Sequence, residues 1–342
     1  MKLFMPERVI FDPASLEYPL GQKIYGYFKD KPSVIIKAGP RTAAGFIAGT
    51  TSAEKYVQAK RTLLVTVSRI KKLDVCRPSA DYQFSLMSGC PAHCEYCYLQ
   101  TTQGTKPYLK VFVNLEDIFE TIKGHIRQNE GKITTFEVAS LGDPLALEHI
   151  TGSLARTIDF FAGLEHGRLR VVTKFPYVDS LLDIGHGGHT LFRVSINTDY
   201  VIDNFEHNTA SLDERIDALA KLGRAGYPVG LIIAPVMLYD NWKEDYDAML
   251  EKLEDRLGPD LSGKELNFEL IQYRFTAVAK ELILQRFPRT KLDMDEGKRV
   301  LKWGRFGRYK YVYPKEEAEE IRGYLTSLIH GRFPSAKVQY FT

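Results

Sequence analysis

The middle of the chain alternates between short apolar runs rich in β-branched residues and segments with helical periodicity. The runs predict strands over residues 82–86, 108–113, 133–139, 169–173, 191–196, 229–233 and 266–271. Helical patterns fall between them, including a short one over 178–184 and a longer one over 242–257. Strands that alternate with helices are typical of parallel α/β architecture.

About six βα units are too few for a closed eight-stranded barrel. The pattern therefore predicts an α/β fold built on a partial (β/α)6 barrel of the TIM type. Its functional groups are expected at the carboxyl ends of the strands.

Local signals support individual helices. Asn114 is a plausible N-cap for a helix whose Ile118, Ile122 and Ile126 share one face. Ser211 and Glu214 form an S-x-x-E capping box at the start of another helix, and Gly226 is placed to end it.

Three segments differ in character. Residues 1–75 predict a small N-terminal α/β layer, with strands near 33–36 and 63–67. Residues 76–290 contain the barrel pattern. Residues 291–342 are basic and aromatic and predict a β-hairpin followed by a helix.

Charge and length limit the classes of protein to which the chain could belong. The chain has 342 residues, with 46 basic and 43 acidic side chains and a formal net charge of +3. A nucleic-acid site would therefore be a local patch rather than the whole surface. The sequence shows neither a leader with an apolar core nor a run of about 20 apolar residues. These features predict a soluble cytoplasmic protein.

Three of the four cysteines lie in one short loop after the strand predicted at 82–86. Cys90, Cys94 and Cys97 have C-x3-C-x2-C spacing, which suits one metal centre in a reducing compartment. Three thiolates on a cube of four irons would leave one iron open to substrate. The alternative is structural zinc with His93 or Cys76 as fourth ligand, although no second ligand pair follows at finger-like spacing.

The cysteine loop resembles the signature of the radical S-adenosylmethionine superfamily, in which an aromatic residue precedes the last cysteine. The resemblance implies that Cys90, Cys94 and Cys97 hold a [4Fe-4S] cluster whose fourth iron binds S-adenosyl-L-methionine. It also implies that Tyr96 lies along the adenine, and that reductive cleavage gives a 5′-deoxyadenosyl radical in a dry pocket.

Further motifs resemble the spore photoproduct lyase family within that superfamily. They are Tyr98, the segment 136–143, Lys174, the segment 195–198 and the basic C-terminal hairpin. The family resemblance implies repair of the spore photoproduct, 5-thyminyl-5,6-dihydrothymine, to two thymines in the spore core. Its implied partners are ultraviolet-damaged double-stranded DNA and an electron donor such as a flavodoxin or ferredoxin.

Polar residues follow three of the predicted strands. Under the barrel prediction they share a rim with the cysteine loop, where they could bind the methionine carboxylate, the ribose and the adenine. The alternative for each is a turn residue or a helix cap. The candidates are Ser140, Gly142, Asp143, Lys174, Ser195 and Asn197.

Ser140 departs from the family pattern. The resemblance places a cysteine there, whose thiol gives a hydrogen atom to the thymine radical. Serine keeps the size but has a much stronger O–H bond, so an engineered replacement would explain it. Tyr98 is expected either to relay a hydrogen atom or to pack on the cofactor. Cys76 is expected to be an inert buried thiol.

The segment near residues 298–313 combines cations with flat apolar rings around turn glycines. Cations suit phosphates and rings suit displaced bases, so a hairpin tip here could fill the gap left by a flipped lesion. The alternative is an ordinary amphipathic edge hairpin. The candidate DNA-binding residues are Lys298, Arg299, Lys302, Trp303, Arg305, Arg308, Tyr309, Lys310 and Tyr311.

Two other function classes stay open on the sequence. One is a different radical S-adenosylmethionine enzyme that acts on RNA or a peptide, for which damaged DNA should bind no better than undamaged DNA. The other is a zinc-stabilised nucleic-acid-binding protein, for which anaerobically prepared material should contain zinc without iron or sulfide.

Overall fold

The computed structural model describes residues 1–104, 106–129, 131–261, 265–304 and 309–342. Its strands are β1 (Arg8–Phe11), β2 (Val34–Lys37), β3 (Thr62–Thr66), β4 (Asp74–Val75), β5 (Tyr82–Gln83), β6 (Met87–Ser88), β7 (His93–Cys94), β8 (Leu109–Phe112), β9 (Thr134–Glu137), β10 (Gly167–Thr173), β11 (Thr190–Ile196), β12 (Glu206–His207), β13 (Val229–Val236), β14 (Asn267–Gln272), β15 (Val300–Trp303), β16 (Tyr309–Val312) and β17 (Lys337–Phe341). Its α-helices are α1 (Pro19–Phe28), α2 (Ser52–Lys60), α3 (Leu99–Gln103), α4 (Leu115–Gln128), α5 (Glu148–Thr151), α6 (Ser153–Ala162), α7 (Asp199–Phe205), α8 (Leu212–Arg224), α9 (Trp242–Leu261), α10 (Ala277–Arg286) and α11 (Lys315–Arg332).

The chain folds as two compact units. The first unit comprises residues 2–91 and 102–191, and the second comprises residue 1 with 92–101 and 192–342. The boundaries predicted near residues 75 and 290 are not tested by this division and stay a prediction.

The first unit contains a five-stranded sheet in the order β2-β1-β3-β8-β6. Strand β8 was expected among the barrel strands, but it pairs in parallel with β3, with Leu63 opposite Leu109. Every residue of β3 is buried, so the strand needs a partner on each side. Val9, Phe11, Leu63 and Leu109 lie in the apolar core that forms around this sheet.

Four more strands of the first unit lie in the order β10-β9-β5-β4. Strands β10 and β5 both run parallel to β9, and β4 folds back antiparallel on β5. The carboxyl ends of β5, β9 and β10 therefore point the same way. The loops that follow Gln83, Glu137 and Thr173 leave from this edge.

The second unit contains a parallel sheet in the order β11-β13-β14-β17. The predicted capping box is confirmed, because Ser211 accepts from the Glu214 backbone and Glu214 accepts from the Ser211 backbone. The helix ends before Gly226, whose φ of 87° suits glycine. An Arg193–Glu269 ion pair at 2.9 Å is buried between β11 and β14.

One predicted helix is wrong. Residues 178–184 form only a 3-10 turn at Asp179–Leu181. Pro176 lies before this segment and glycines follow it at 185, 187 and 188, which leaves too few residues for a stable α-helix. Separately, none of the described helices is both long and apolar enough to cross a membrane.

Candidate functional site

Two loops of the first unit meet at glycines. Gly89, next to Cys90, has a φ of 87° and donates its backbone N–H to the Leu141 carbonyl at 2.7 Å. A Cβ on Gly142 would lie 2.5 Å from the Gly89 carbonyl oxygen, so only glycine fits there. The Ser140–Asp143 loop therefore packs directly on the start of the cysteine loop.

A buried cation lies at the same place. Lys60, only 3% exposed, donates from Nζ to the Cys90 carbonyl at 2.7 Å. This bond fixes the backbone of the first cysteine of the loop. The sequence alone gave no signal for this contact, because Lys60 and Cys90 are 30 residues apart.

The rest of the cysteine loop is fixed within the second unit. Strand β7 pairs antiparallel with β12, with Cys94 opposite Glu206. Gln100 donates its amide to the Cys94 carbonyl at 3.1 Å, and Arg286 donates to the Gln100 carbonyl at 3.1 Å. These bonds fix the backbone on both sides of Cys97.

Tyr96 is tied to a buried ion pair. Its hydroxyl donates to the Glu206 carboxylate, which also accepts from Arg215 at 2.6 Å. Burial, together with the charges of Glu206 and Cys94, raises the pKa of Tyr96 well above its usual value. The hydroxyl therefore stays protonated, and it anchors the ring expected to lie along the adenine.

A second carboxylate fixes the residue before Tyr96. Glu95 accepts from His207 at 2.7 Å through Oε1 and from the Thr290 hydroxyl through Oε2. Sequence reasoning missed these partners, as it missed Glu206 and Arg215, because neither spacing nor local motif links them to the cysteines.

The donor set fits an iron–sulfur cluster. None of the four cysteines forms a disulfide, and Cys94 is buried while Cys90 and Cys97 are partly exposed. Within the described ranges no three His, Cys, Asp or Glu side chains are grouped closely enough to hold a single metal ion. Three thiols spaced along one loop are the ligand type that holds iron–sulfur clusters.

The Asp143 carboxylate makes hydrogen bonds that hold neighbouring segments of the protein together. It accepts from the Thr173 hydroxyl and the Lys174 backbone N–H, both at 2.9 Å, and caps the 3-10 helix Pro144–Leu147 through the Leu145 N–H at 3.3 Å. Burial raises its pKa to about 7, against the lowering effect of these hydrogen bonds. Asp143 thus joins the segments that follow β9 and β10. This favours the alternative in which Asp143 is a helix cap. Cofactor binding by Asp143 and by the partly exposed Lys174 stays a prediction.

The two candidates on β11 are buried in the second unit. Ser195 is 2% exposed, and its carbonyl accepts from Arg215 at 3.0 Å. Asn197 donates to the Pro235 carbonyl at 2.8 Å and accepts from the Tyr246 hydroxyl at 2.9 Å. Both ends of the Asn197 amide therefore have protein partners that brace the strand end.

The two candidates for hydrogen transfer differ in exposure. Ser140 follows β9 and is partly exposed, whereas Tyr98 is 58% exposed. Cys76, expected to be buried, is also partly exposed, so that expectation was wrong. It lies in a turn after β4 rather than in a packed core.

The C-terminal hairpin forms as predicted from β15 and β16, with Trp303 opposite Tyr309. These two rings are 63% and 57% exposed and lie edge to face at 4.9 Å. Lys298 and Lys302 are exposed, while burial and the charge of Arg274 lower the pKa of Lys310. Arg305 and Arg308 lie outside the described residues.

Arg299 corrects the predicted DNA-binding set. Its side chain is only 3% exposed, and its guanidinium lies 3.9 Å from the centre of the Tyr313 ring. It also donates to the Asp293 carbonyl at 3.2 Å. Arg299 therefore packs the base of the hairpin and is not placed to contact phosphate. Tyr311 is similarly occupied, by the Glu296 carboxylate and the Phe275 ring.

Comparison with known proteins gives one consistent match. The family model for spore photoproduct lyase matches residues 4–342. The chain is 47% identical to spore photoproduct lyase of Geobacillus sp. over 100% of both chains, and 43% identical to that of Bacillus subtilis over 99% of both.

Solved structures match equally well. Spore photoproduct lyase complexed with dinucleoside spore photoproduct superposes with a TM-score of 0.97 at 44% identity, covering 100% of both chains. A variant with alanine for cysteine at its position 140 and cysteine for serine at its position 76, with bound AdoMet and the same dinucleoside, gives a TM-score of 0.95 at 46% identity over 100% of both. A variant with serine for cysteine at position 140 gives 0.96 at 46%, again over 100% of both. These matches confirm the predicted fold class, a mixed α/β fold with a parallel-dominated partial barrel.

Proposed function

Because the chain belongs to the spore photoproduct lyase family, we propose that it converts the spore photoproduct back to two thymines. The observation that carries this proposal is the full-length match, at 44% identity and a TM-score of 0.97, to a relative solved with the dinucleoside lesion. The cysteine loop, with three thiols that form no disulfide, supports the same reaction class. Repair would take place in the cytoplasm of the spore core, on ultraviolet-damaged double-stranded DNA.

Cys90, Cys94 and Cys97 would hold a [4Fe-4S] cluster, and S-adenosyl-L-methionine would bind beside it. When bound, this pair supplies a carbon-centred radical that takes a hydrogen atom from the lesion. The chain's part is to hold the loop rigid through Lys60 and Gln100 and to orient the Tyr96 ring through Glu206. An electron donor of the flavodoxin or ferredoxin type would reduce the cluster.

The strand-end polar groups would divide into binding and bracing roles. The Lys174 side chain would pair with the methionine carboxylate, while Asp143 holds the Lys174 backbone. Gly142 would let the loop after β9 approach the cofactor, because a Cβ there has no room. Ser195 and Asn197 would shape the site from β11 mainly by fixing its carboxyl end.

Positions 76 and 140 bear on the last hydrogen transfer. The solved relative carries cysteine at 140 and serine at 76 before substitution. This chain has a cysteine at its own position 76 and a serine at its own position 140. Ser140 would occupy the family's donor position without its thiol, and a variant of the relative with serine for cysteine has the same fold as this chain.

The hairpin would hold the damaged duplex. Trp303 and Tyr309 offer exposed rings for bases, and Lys298 and Lys302 offer exposed charges for phosphates. A lesion must leave the base stack to reach a radical, and ring insertion can fill the space it leaves.

We expect Trp303→Ala to weaken binding to lesion-containing duplex by about 1–3 kcal/mol, because a base loses its stacking surface. Lys302→Ala should weaken binding to damaged and undamaged DNA equally. It should also lower the slope of log binding constant against log salt concentration by about one. Fluorescence anisotropy at several salt concentrations measures both effects. Lys315→Ala is the matched control, since that lysine is 81% exposed and lies outside the hairpin. If Trp303→Ala leaves the affinity for the lesion unchanged, the hairpin does not hold the damaged duplex as proposed.

The function itself is tested by conversion. The full chain, reconstituted anaerobically with iron and sulfide, is incubated with dinucleoside spore photoproduct, S-adenosyl-L-methionine and a reductant. Formation of the thymine dinucleoside is expected. Bound iron and sulfide with no loss of the lesion would favour another radical enzyme, and zinc without iron would favour the binding protein.

A further inference from the structure

A short basic segment of the first unit lies outside the residues assigned to the site and to the hairpin. Residues 69–72 have the sequence Arg-Ile-Lys-Lys and lie between β3 and β4. All four residues are exposed, and Ile70 is 51% exposed. The segment therefore presents three positive charges to solvent within four residues.

These three cations are not neutralised by neighbouring carboxylates. Within the described ranges the cations of residues 69–72 form no ion pair, whereas elsewhere in the same unit Arg61 pairs with Glu7 and Lys123 with Glu120. Like charges that lie close together without a partner raise the local positive potential, which attracts anions. The segment is therefore suited to bind a polyanion.

The segment is held in place at both ends. Before it, Ser68 donates its N–H to Oδ1 of Asn114 at 2.7 Å, and the Asn114 amide donates to the Ser68 carbonyl at 2.8 Å. After it, the buried Leu73 donates its N–H to Nε2 of His125 at 3.4 Å. A segment that is already fixed in this way loses little conformational freedom when it binds a ligand.

The segment borders the strands that lead to the loops of the candidate site. Strand β4, which follows it, is the outermost strand of its sheet. On one side, Phe112 at the end of β8 donates its N–H to the carbonyl of Leu86, directly before β6 and the start of the cysteine loop. On the other side, Ser79 in the turn after β4 donates its hydroxyl at 2.7 Å to Glu137, the last residue before the loop that carries Ser140. A strand of DNA that reaches these loops passes close to the segment.

The phosphates of duplex DNA match this surface. Specific protein–DNA interfaces bury about 1,000–2,500 Å² of protein surface, and phosphate contacts from Lys and Arg supply much of the affinity. The hairpin strands β15 and β16 have four residues each, so a duplex contact of ordinary size needs protein surface beyond the hairpin. Each DNA strand carries a phosphate about every 3.4 Å along the helix axis, which supplies anions for several adjacent cations.

We propose that residues 69–72 form a second DNA-contact surface, which binds backbone phosphates of the duplex next to the lesion; this rests on the proposed function. Arg69, Lys71 and Lys72 supply the charges. Contacts to phosphates carry no sequence information, so the surface binds damaged and undamaged duplex equally. Selection of the lesion is left to the hairpin and to the site loops.

The first test measures binding of the full chain to lesion-containing duplex by fluorescence anisotropy at several salt concentrations. The double variant Lys71→Ala with Lys72→Ala should bind about tenfold more weakly. Its slope of log binding constant against log salt concentration should fall by about two, because two phosphate contacts are lost. Undamaged duplex should show the same changes.

The matched control is the double variant Lys29→Ala with Lys31→Ala, which removes the same charge from two exposed positions. These lysines precede β2, whose Val34 lies opposite Arg8, the first residue of β1. They therefore lie near the amino end of the five-stranded sheet, whereas residues 69–72 follow the carboxyl end of β3, which runs parallel to β1. The control should keep the affinity and the salt slope of the unaltered chain.

The second test separates backbone contacts from the chemistry of repair. Dinucleoside spore photoproduct has no flanking duplex, so the Lys71→Ala and Lys72→Ala double variant should convert it as fast as the unaltered chain, with dithionite as reductant. For lesion-containing duplex, the same variant should show a KM raised about tenfold and an unchanged kcat, as expected when uniform binding is lost. Equal losses on both substrates would show that the lysines do not act through flanking phosphates.

The remaining outcomes separate this inference from the proposed function. If the unaltered chain binds duplex but converts neither substrate, the proposed function fails while the binding test still decides the surface. If the Lys71 and Lys72 variant keeps the affinity and salt slope of the unaltered chain, or if the control loses as much, the surface is wrongly assigned. If duplex binding is kept and turnover falls only when a flavodoxin replaces dithionite, the segment binds an acidic electron-transfer protein and the assignment to DNA is wrong.

Discussion

Replacement of Cys94 by alanine is expected to abolish lesion conversion, with a loss of more than about 100-fold, greater than the loss of an outer-shell partner would cause. Cys94 is a central member of the C-x3-C-x2-C loop, and two remaining thiolates cannot retain the cluster. Iron and sulfide analysis of the anaerobically reconstituted protein, together with a conversion assay, measures the effect.

Cys76→Ser is the matched control for the metal analysis, because it removes a thiol that lies outside the motif. It should keep the iron and sulfide content of the unaltered chain, whatever its products. A Cys94→Ala protein with full iron, full sulfide and normal repair would show that the cluster is held elsewhere.

Replacement of Arg215 by methionine should lower the free energy of unfolding by about 3–5 kcal/mol, since it leaves a buried carboxylate without its cation. The side chains of Arg215 and Glu206 are both fully buried, and Arg215 also donates to the carbonyls of Ala210 and Ser195. Urea unfolding of the metal-free chain, monitored by circular dichroism, gives the change.

Arg256→Met is the control for this measurement. Arg256 pairs with Asp213 and Asp217 on the surface of the same unit, and its side chain is 39% exposed. An exposed pair of this kind contributes about 0–1 kcal/mol. Equal losses for the two arginine variants would mean that the buried pair is not what stabilises β12 and the Tyr96 anchor.

The same network links stability to function. Glu206 lies opposite Cys94 in the β7–β12 pair and accepts from Tyr96, so loss of Arg215 disturbs both neighbours. Adding Glu206→Gln to Arg215→Met should recover part of the stability, because it removes the buried negative charge. It should not restore the orientation of Tyr96, whose hydroxyl loses a charged acceptor.

Most of the secondary structure could be predicted because its signals are local. The strand over 169–173 and the helix capped by Ser211 appear where periodicity and the capping box placed them. The helix after Asn114 also begins where predicted, but the Asn114 side chain makes no capping hydrogen bond. Strand β8 was assigned to the wrong sheet, because strand pairing depends on segments far apart in the chain.

Some features of the candidate site could likewise be predicted from local sequence, and others could not. The spacing of Cys90, Cys94 and Cys97 lies within eight consecutive residues, and the cation-rich hairpin is one local repeat of alternating side chains. The burial of Arg299 against Tyr313 could not be predicted, because a charged residue in such a repeat normally faces water.

By itself, the sequence determined the cysteine spacing, most of the strands and helices, the hairpin and the presence of serine rather than cysteine at position 140. These are properties of neighbouring residues or of side-chain chemistry. Only the tertiary structure decided that Glu137 accepts from Ser79, that Lys60 reaches the Cys90 carbonyl, and that Glu206 and Arg215 anchor Tyr96. Each of those contacts joins residues at least 30 positions apart, or depends on burial, and burial exists only once the sheets and helices have packed.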